Sequence, residues 1–242
     1  MNEKAANYLL GDRLQHIDML EELTVPGVKV LYAGDDGVLL QSGDLFQLSA
    51  RPGTKGRFEP LLLSALPETG ECMVTLHTPE LVAPLLSRNG FSLMMDCRNC
   101  VYDAPGPVAY CVPRGVEIRP LERSHLDFVL AHYHTVDDAD YIRERIDAGM
   151  FGAFADGTPA GFIGTHDERS IGMLEVLPDY QRRGLAFALE ARMINHLLSA
   201  GRVPFCQVEV HNAASFALQR KLGLTVSTHM IHWLERKNCL RF

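Results

Sequence analysis

The sequence predicts an α/β protein, an α+β arrangement around a mixed sheet, built in two halves. Three observations carry this reading. Strand and helix patterns alternate through the second half. A Pro/Gly-rich segment separates it from the first half, and a strand-helix stretch of the first half is echoed near the end of the chain. At 242 residues the chain is long enough for one large domain or two smaller ones with separate cores. We expect two, residues 1–112 and 113–242, because "YDAPGPVAYCVPRG" (102–115) holds three prolines and two glycines with no helical period.

Beyond that segment, "VEIRPL" reads as a strand and "SHLDFVLAHYH" (124–134) as a helix with Ser124 as its cap. "DADYIRERIDAG" is a second helix ending at Gly149. "MFGAFAD", "PAGFIGTH" and "SIGMLEVL" form an antiparallel meander, the first two strands joined by Asp156-Gly157, residues that tolerate the positive φ of a tight turn. After Pro178 the period changes: Leu185, Leu189, Met193 and Leu197 recur every fourth residue, a helix that runs to Gly201. "PFCQVEV" is a strand, "NAASFALQRKLG" a helix between Asn212 and Gly223, and "LTVSTHMIHWLER" a closing strand or bent pair.

In the first half, "CMVTLHTPELVAPLLSRNGF" (72–91) matches "CQVEVHNAASFALQRKLGL" (206–224). Both open with Cys, any, Val, any, an aliphatic residue and His, and both close with Leu, any, Arg before Gly. Internal duplication and the chance agreement of short apolar patterns both account for this.

The composition, 47% hydrophobic and 22% charged, is that of a soluble globular protein. A net charge of -7 argues against nucleic acid as the main partner. No apolar run approaches a bilayer span, and "MNEKAANYLLGDRLQ" carries charges where a signal peptide would be apolar, so a cytoplasmic location without a membrane partner is expected. Six cysteines are scattered without a disulfide-framework spacing. Cys97 and Cys100 form a lone C-x-x-C with no further zinc ligands and no helix to open, so no metal is expected.

The stretch most suggestive of function is "LPDYQRRGLA" (177–186), between a strand and a helix. The first amides of a helix have no intrahelical partner, and the helix dipole adds partial positive charge. Gly184 and the small Ala186 permit close approach, and Arg182 and Arg183 add full charges. A pyrophosphate fits such a junction; two arginines on a solvated turn are the simpler alternative.

"LEVLPDYQRRGLA", followed by a helix, the strand "PFCQVEV" and "NAASFALQRKLG", resembles the GNAT superfamily of acyl-CoA-dependent N-acyltransferases. The signature reads Gln181, Arg182, Arg183, Gly184, Leu185, Ala186, and the resemblance spans 116–236. More narrowly, "LPDYQ" and the worn first half resemble the glycine N-acyltransferase-like branch. The resemblance implies a GNAT fold in the second half and a smaller, degenerate GNAT-like first domain without the junction's function. It also implies acetyl-CoA, or another acyl-CoA, as co-substrate. Backbone groups of Val176 and Leu177 would then hold the pantetheine arm, the amides from Arg182 to Ala186 the pyrophosphate, and Asn212 the arm's other side unless it is only a helix cap.

Acyl transfer to an amine needs a neutral amine, a polarised carbonyl and a proton for the departing thiolate. Glu175, on the strand beside the acyl site, is the candidate base, or else a solvent-facing carboxylate. Members of the family often carry a tyrosine where this chain has Gln219 after Leu218, so Ser215 is the candidate partner of the sulfur, or else a local contact to its own helix. His211, His132, Tyr133 and His134 are weaker candidates near the same elements, and Trp233 reads as core. Two functions fit: N-acetyltransfer to a small-molecule amine or amino acid in a ternary complex, by a monomer or homodimer, or acyl-CoA binding by a regulator that does not turn over. A nucleotide-binding protein is disfavoured, since neither G-x-x-x-x-G-K-[ST] nor G-x-G-x-x-G is present.

Overall fold

The computed structural model describes residues 2–88, 90–136 and 138–237. The first half runs α1 (Glu3–Leu10), α2 (Ile17–Glu22), β1 (Lys29–Gly34), β2 (Gly37–Ser42), β3 (Leu45–Ala50), α3 (Lys55–Ala65), β4 (Cys72–Leu76), α4 (Val82–Leu86) and β5 (Phe91–Val101). The second runs β6 (Val116–Pro120), α5 (Leu126–His132), α6 (Ala139–Asp147), β7 (Phe151–Ala155), β8 (Thr158–Thr165), β9 (Ile171–Val176), α7 (Leu185–Ser199), β10 (Phe205–Glu209), α8 (Ala213–Leu222), β11 (Thr225–Val226) and β12 (Ile231–Arg236). The closing segment is thus a bent pair.

Packing gathers these elements into two compact units, and the division is not a single cut near residue 112. Residues 2–100, 208–213 and 226–237 form the first unit, and 101–207 with 214–225 the second. The last strand explains the difference. β12 inserts between β4 and β5, antiparallel to both, with Trp233 opposite Thr75 on one side and Met95 on the other. No local pattern announces a pairing between residues so far apart in sequence.

In the first unit β1, β2 and β3 form an antiparallel meander and β4 runs parallel to β3. The pleat sorts β2 to two faces, since successive side chains point opposite ways. Val38 and Leu40 join Ala5, Leu9 and Met19 of α1 and α2, whereas Leu39 joins Phe58 and Leu62 of α3. Cys97 and Cys100 are buried in β5, and burial pushes the Cys97 thiol well above its ordinary value. "CRNC" is therefore strand, and its Cys97 is a poor thiolate source. Trp233 packs with Leu45, Cys97 and Ile231. Cys239 lies outside the described residues.

The second unit repeats that order. The meander β7-β8-β9 comes after the helices α5 and α6, the long helix α7 is next, and β10 runs parallel to β9. Asp156 and Gly157 take positive φ (47° and 83°) in the β7-β8 turn. Val129, Tyr133, Ile142 and Ile146 of the α5-α6 segment pack on Phe154, Phe162 and Met173, while α7 lies against β7, β8 and β9 through Leu185, Ala188, Leu189 and Met193. Ser124 is not the cap of α5. A 3-10 turn precedes that helix, and Glu122 caps it reciprocally with His125, whose Nδ1 accepts the Glu122 amide at 3.0 Å. Among the described residues no helix is long and apolar enough to cross a membrane.

Candidate active site

The site is built on β9. Its register with β10 is Cys206 opposite Ile171, at the start of β9. Further along, Gly172, Glu175 and Val176 are laddered to β8 on the other side. Met173 holds φ 51°, rare for a side-chain-bearing residue, and the β8-β9 register shifts between Phe162 and Gly164. This is a bulge, which breaks the pairing and re-aims the rest of β9 at a cost of about 1–3 kcal/mol. Gly161 lets the two backbones close again: a Cβ there would lie 2.5 Å from the Glu175 oxygen and 3.1 Å from the Val176 Cα.

Beyond β9 the chain turns through a 3-10 segment, Pro178–Tyr180, into Gln181. The Leu177 amide is already bound to the Ala160 oxygen at 2.9 Å, and the Val176 oxygen accepts the Gln181 side-chain amide at 3.0 Å. Gln181 thus braces the loop against the strand end, and the Leu177 carbonyl in turn accepts the Tyr180 amide at 2.9 Å, which leaves a ligand only its second lone pair. Arg182 and Gly184 both take positive φ (61° and 87°). Gly184 is the N-cap residue of α7 and carries no side chain to satisfy the helix start. The first intrahelical bond runs from the Ala188 amide to the Gly184 oxygen, so the amides of Leu185, Ala186 and Phe187 precede the first intrahelical donor and have no acceptor within the helix. Gln181 through Gly184 are exposed, Ala186 is half-buried and the Leu185 side chain belongs to the core.

Positive charge accumulates at this loop. The Arg183 guanidinium lies 5.6 Å from the Tyr180 ring, and Lys221 Nζ lies 4.9 Å from the ring of Phe187 in the first turn of α7. Sequence reasoning did not single out Lys221, because a lysine in a last helical turn reads as dipole compensation. Only the packing of α8 brings it here.

Glu175 is exposed on β9, and partial burial raises its pKa, moderated by the nearby imidazoles of His134 and His132. Tyr133 is buried beside it, its own pKa raised by burial and, among lesser causes, by the charges of Glu168 and Glu175. The end of α5 and the middle of β9 therefore converge. His132 is oriented by its own helix, its Nδ1 donating to the Phe128 oxygen at 2.8 Å. The other predicted residues divide between the units. Ser215 is half-buried in α8 of the second unit, whereas Asn212 and His211, both exposed, lie in the 208–213 segment of the first. Gln219 is buried and hydrogen-bonded to Glu190 inside the second unit; burial raises Glu190 to about 7. The position where the resemblance expects a tyrosine thus serves an interior pair. Among the described residues no cluster of three or more His, Cys, Asp or Glu could hold a metal ion.

A bulged third strand that leads into an uncapped, cation-flanked helix start defines a fold suited to holding a phosphate-bearing arm. The comparisons agree with that class. Residues 118–224 match the acetyltransferase (GNAT) family. Solved structures similar to it include a Drosophila protein, at 17% identity and a TM-score of 0.71 over 96% of this chain and 90% of that one. A GCN5-related N-acetyltransferase from Kribbella flavida is similar at 16% identity and 0.61, covering 92% and 95% of the two chains. Another from Sphaerobacter thermophilus is similar at 17% and 0.57, covering 98% and 94%. At these identities the structures show the fold. A sequence search of curated proteins gives no match.

Proposed function

We propose that the second unit binds acetyl-CoA, or another acyl-CoA, and transfers its acyl group to the amine of a small molecule or amino acid by direct attack in a ternary complex. The observation that carries this reading is the free amide run at the start of α7, set between Arg182, Arg183 and Lys221 and continuous with the open side of β9. The pyrophosphate accepts from the amides of Arg182 to Ala186, and the pantetheine runs past the carbonyls of Val176 and Leu177. Asn212 is assigned to the pantetheine and Ser215 to the sulfur. Glu175, with its pKa raised, takes the ammonium proton so that the neutral amine can attack. Positioning supplies most of the remaining rate, since a thiolate leaves readily. The first unit, with the same order of elements, is read as a degenerate copy.

That copy has lost the opening. β3 and β4 are registered from Leu45 opposite Met73 to Leu48 opposite Leu76, and the Thr78 hydroxyl then bridges them, accepting from the Ala50 amide at 2.8 Å. A specific observation also favours a second reading, acyl-CoA binding without turnover: Gln219 cannot protonate a thiolate and is committed to Glu190. Calorimetric titration of acetyl-CoA and CoA into the wild type and an Arg183→Glu, Gly184→Asp variant tests both. Saturable binding lost in the variant, with amine-dependent release of CoA by the wild type, is expected. Binding without release supports the regulator, and no binding by folded wild type overturns the cofactor site.

A further inference from the structure

The first unit contains a cavity of about 400 Å³ at the carboxyl ends of the parallel strands β3 and β4, a volume suited to a small molecule. Tyr8 and His16 come from the α1-α2 segment, Ser49 and Arg51 from the end of β3, and His77 from the end of β4. Ring packing makes one wall, with Tyr8 and His16 centroids 5.8 Å apart and those of His16 and His77 5.3 Å apart.

The polar groups behind this wall are fixed. His16 Nδ1 faces the Leu9 carbonyl at 3.2 Å, which can only accept, so its Nε2 accepts the Ser49 hydroxyl at 2.8 Å. Burial drops the His16 pKa to about 4, leaving the ring neutral. The Gln15 carbonyl oxygen accepts from the His229 amide at 3.1 Å, which turns its NH2 toward His77 Nδ1. His77 Nε2 then donates to Asp18 at 2.9 Å, and Asn99 donates to the other Asp18 oxygen at 2.9 Å. Asp18 is 1% exposed and held below its ordinary pKa by its His77 and Asn99 partners, so a carboxylate stands behind the imidazole.

Charge at the mouth is mixed. Arg51 is exposed and its guanidinium has no hydrogen-bond or ion-pair partner among the described residues. Opposite in sign, Asp12 accepts the Gln15 amide at 3.1 Å and Glu80 accepts the Gly53 amide at 3.1 Å. Glu80 thereby places a carboxylate at the loop before α3, where this unit would otherwise receive a phosphate, and Thr78 closes the strands. Both features oppose a phosphate-bearing coenzyme at this end of the sheet. Ser49 with His16 resembles a nucleophile and its base, but the neighbouring amides are already engaged. Ala50 donates to Thr78 at 2.8 Å, Arg51 to the Asp36 oxygen at 2.9 Å and His77 to the Leu48 oxygen at 2.9 Å. These three amides are therefore not available to an oxyanion beside Ser49, and the pair is suited to holding a ligand.

We propose that this cavity binds a free α-amino acid: its carboxylate on Arg51, its ammonium against Asp12 and Glu80, and a neutral, preferably aromatic side chain along the Tyr8, His16 and His77 wall. Asp18 behind that wall disfavours an acidic side chain. The assignment does not depend on the chemistry of the second unit.

Calorimetric titration of the full chain with L-phenylalanine, phenethylamine, N-acetyl-L-phenylalanine and L-glutamate tests it. Saturable binding of L-phenylalanine is expected, weakened about tenfold or more when either the carboxylate or the ammonium is missing, and similarly for L-glutamate. Arg51→Gln, at an exposed position, reproduces the loss, while Arg183→Glu with Gly184→Asp and saturating acetyl-CoA leave the affinity unchanged. Imidazole NMR signals of His16 and His77 shift on addition. Absence of binding by cooperatively folding protein overturns the proposal, as does phenethylamine binding equally well, competition by acetyl-CoA, or covalent labelling of Ser49 by a fluorophosphonate.

Discussion

Two glycines at the ends of α7 permit a clean test of the anion site. Gly184 precedes the helix with φ 87° and Gly201 lies just past its end with φ 70°, and an added Cβ meets nothing within 4 Å at either place. Alanine therefore costs only backbone conformation, about 1–2 kcal/mol for a side-chain-bearing residue in the left-handed region. A gain of about 0.4–1 kcal/mol from the stiffer unfolded chain offsets part of this. Both Gly184→Ala and Gly201→Ala should thus lose about 1 kcal/mol, a fall in Tm of about 2–4 °C for a chain of this size. Their ligand effects should diverge. In the proposed placement the pyrophosphate crosses the empty space over Gly184 to reach the amides of Arg182 to Ala186. Disturbing charge-assisted bonds worth about 1.5–3 kcal/mol should weaken acetyl-CoA by about tenfold to a hundredfold. Urea denaturation and calorimetry on the two variants give both quantities. Equal stability loss with undiminished acetyl-CoA affinity in Gly184→Ala would refute the placement of the phosphates.

Packing and burial set two further outcomes. Gly161→Ala should cost about 1–3 kcal/mol, because its Cβ meets the Glu175 and Val176 backbone, and should lower kcat more than acetyl-CoA affinity by displacing Glu175. Gly164→Ala, whose Cβ meets only the flexible Met150 side chain, should cost less in a parallel urea series. Glu190→Gln should change how stability depends on pH. A carboxyl raised to about 7 by burial favours the folded state at acid pH, and that contribution is lost as pH rises from about 4.5 through 7. Glutamine has no charge to bury, so the variant should match the wild type near pH 4.5 and exceed it at pH 8 by a margin of the order of 1–3 kcal/mol. A pH-independent difference would show that Glu190 does not titrate in this window.

Much of the site was legible because its parts are local. The β7-β8 turn needs positive φ, and Asp156-Gly157 supply it; α7 declares itself by its four-residue apolar repeat and by glycines at both ends. An anion-ready helix start is likewise a property of a few consecutive residues. The hidden features depend on residues distant in sequence or on side-chain geometry. Ser124 lost the cap because Glu122 and His125 satisfy each other, a choice decided by side-chain geometry rather than residue type. Gln219 reads as a missing acid, and only packing reveals that it faces Glu190. Lys221 reads as the end of one helix and stands over the start of another.

Periodicity and turn chemistry therefore determined the element order of the second half and the junction at 177–186, since each is set by neighbours a few residues apart. Tertiary structure alone decided that β12 closes the first unit's sheet. It also latched β3 to β4 through Thr78 and assembled residues from the α1-α2 segment, two strand ends and the 229–232 segment around one cavity. Those pairings form only when separated segments bury a common surface, and a one-dimensional pattern records which faces are apolar but not which partner covers them.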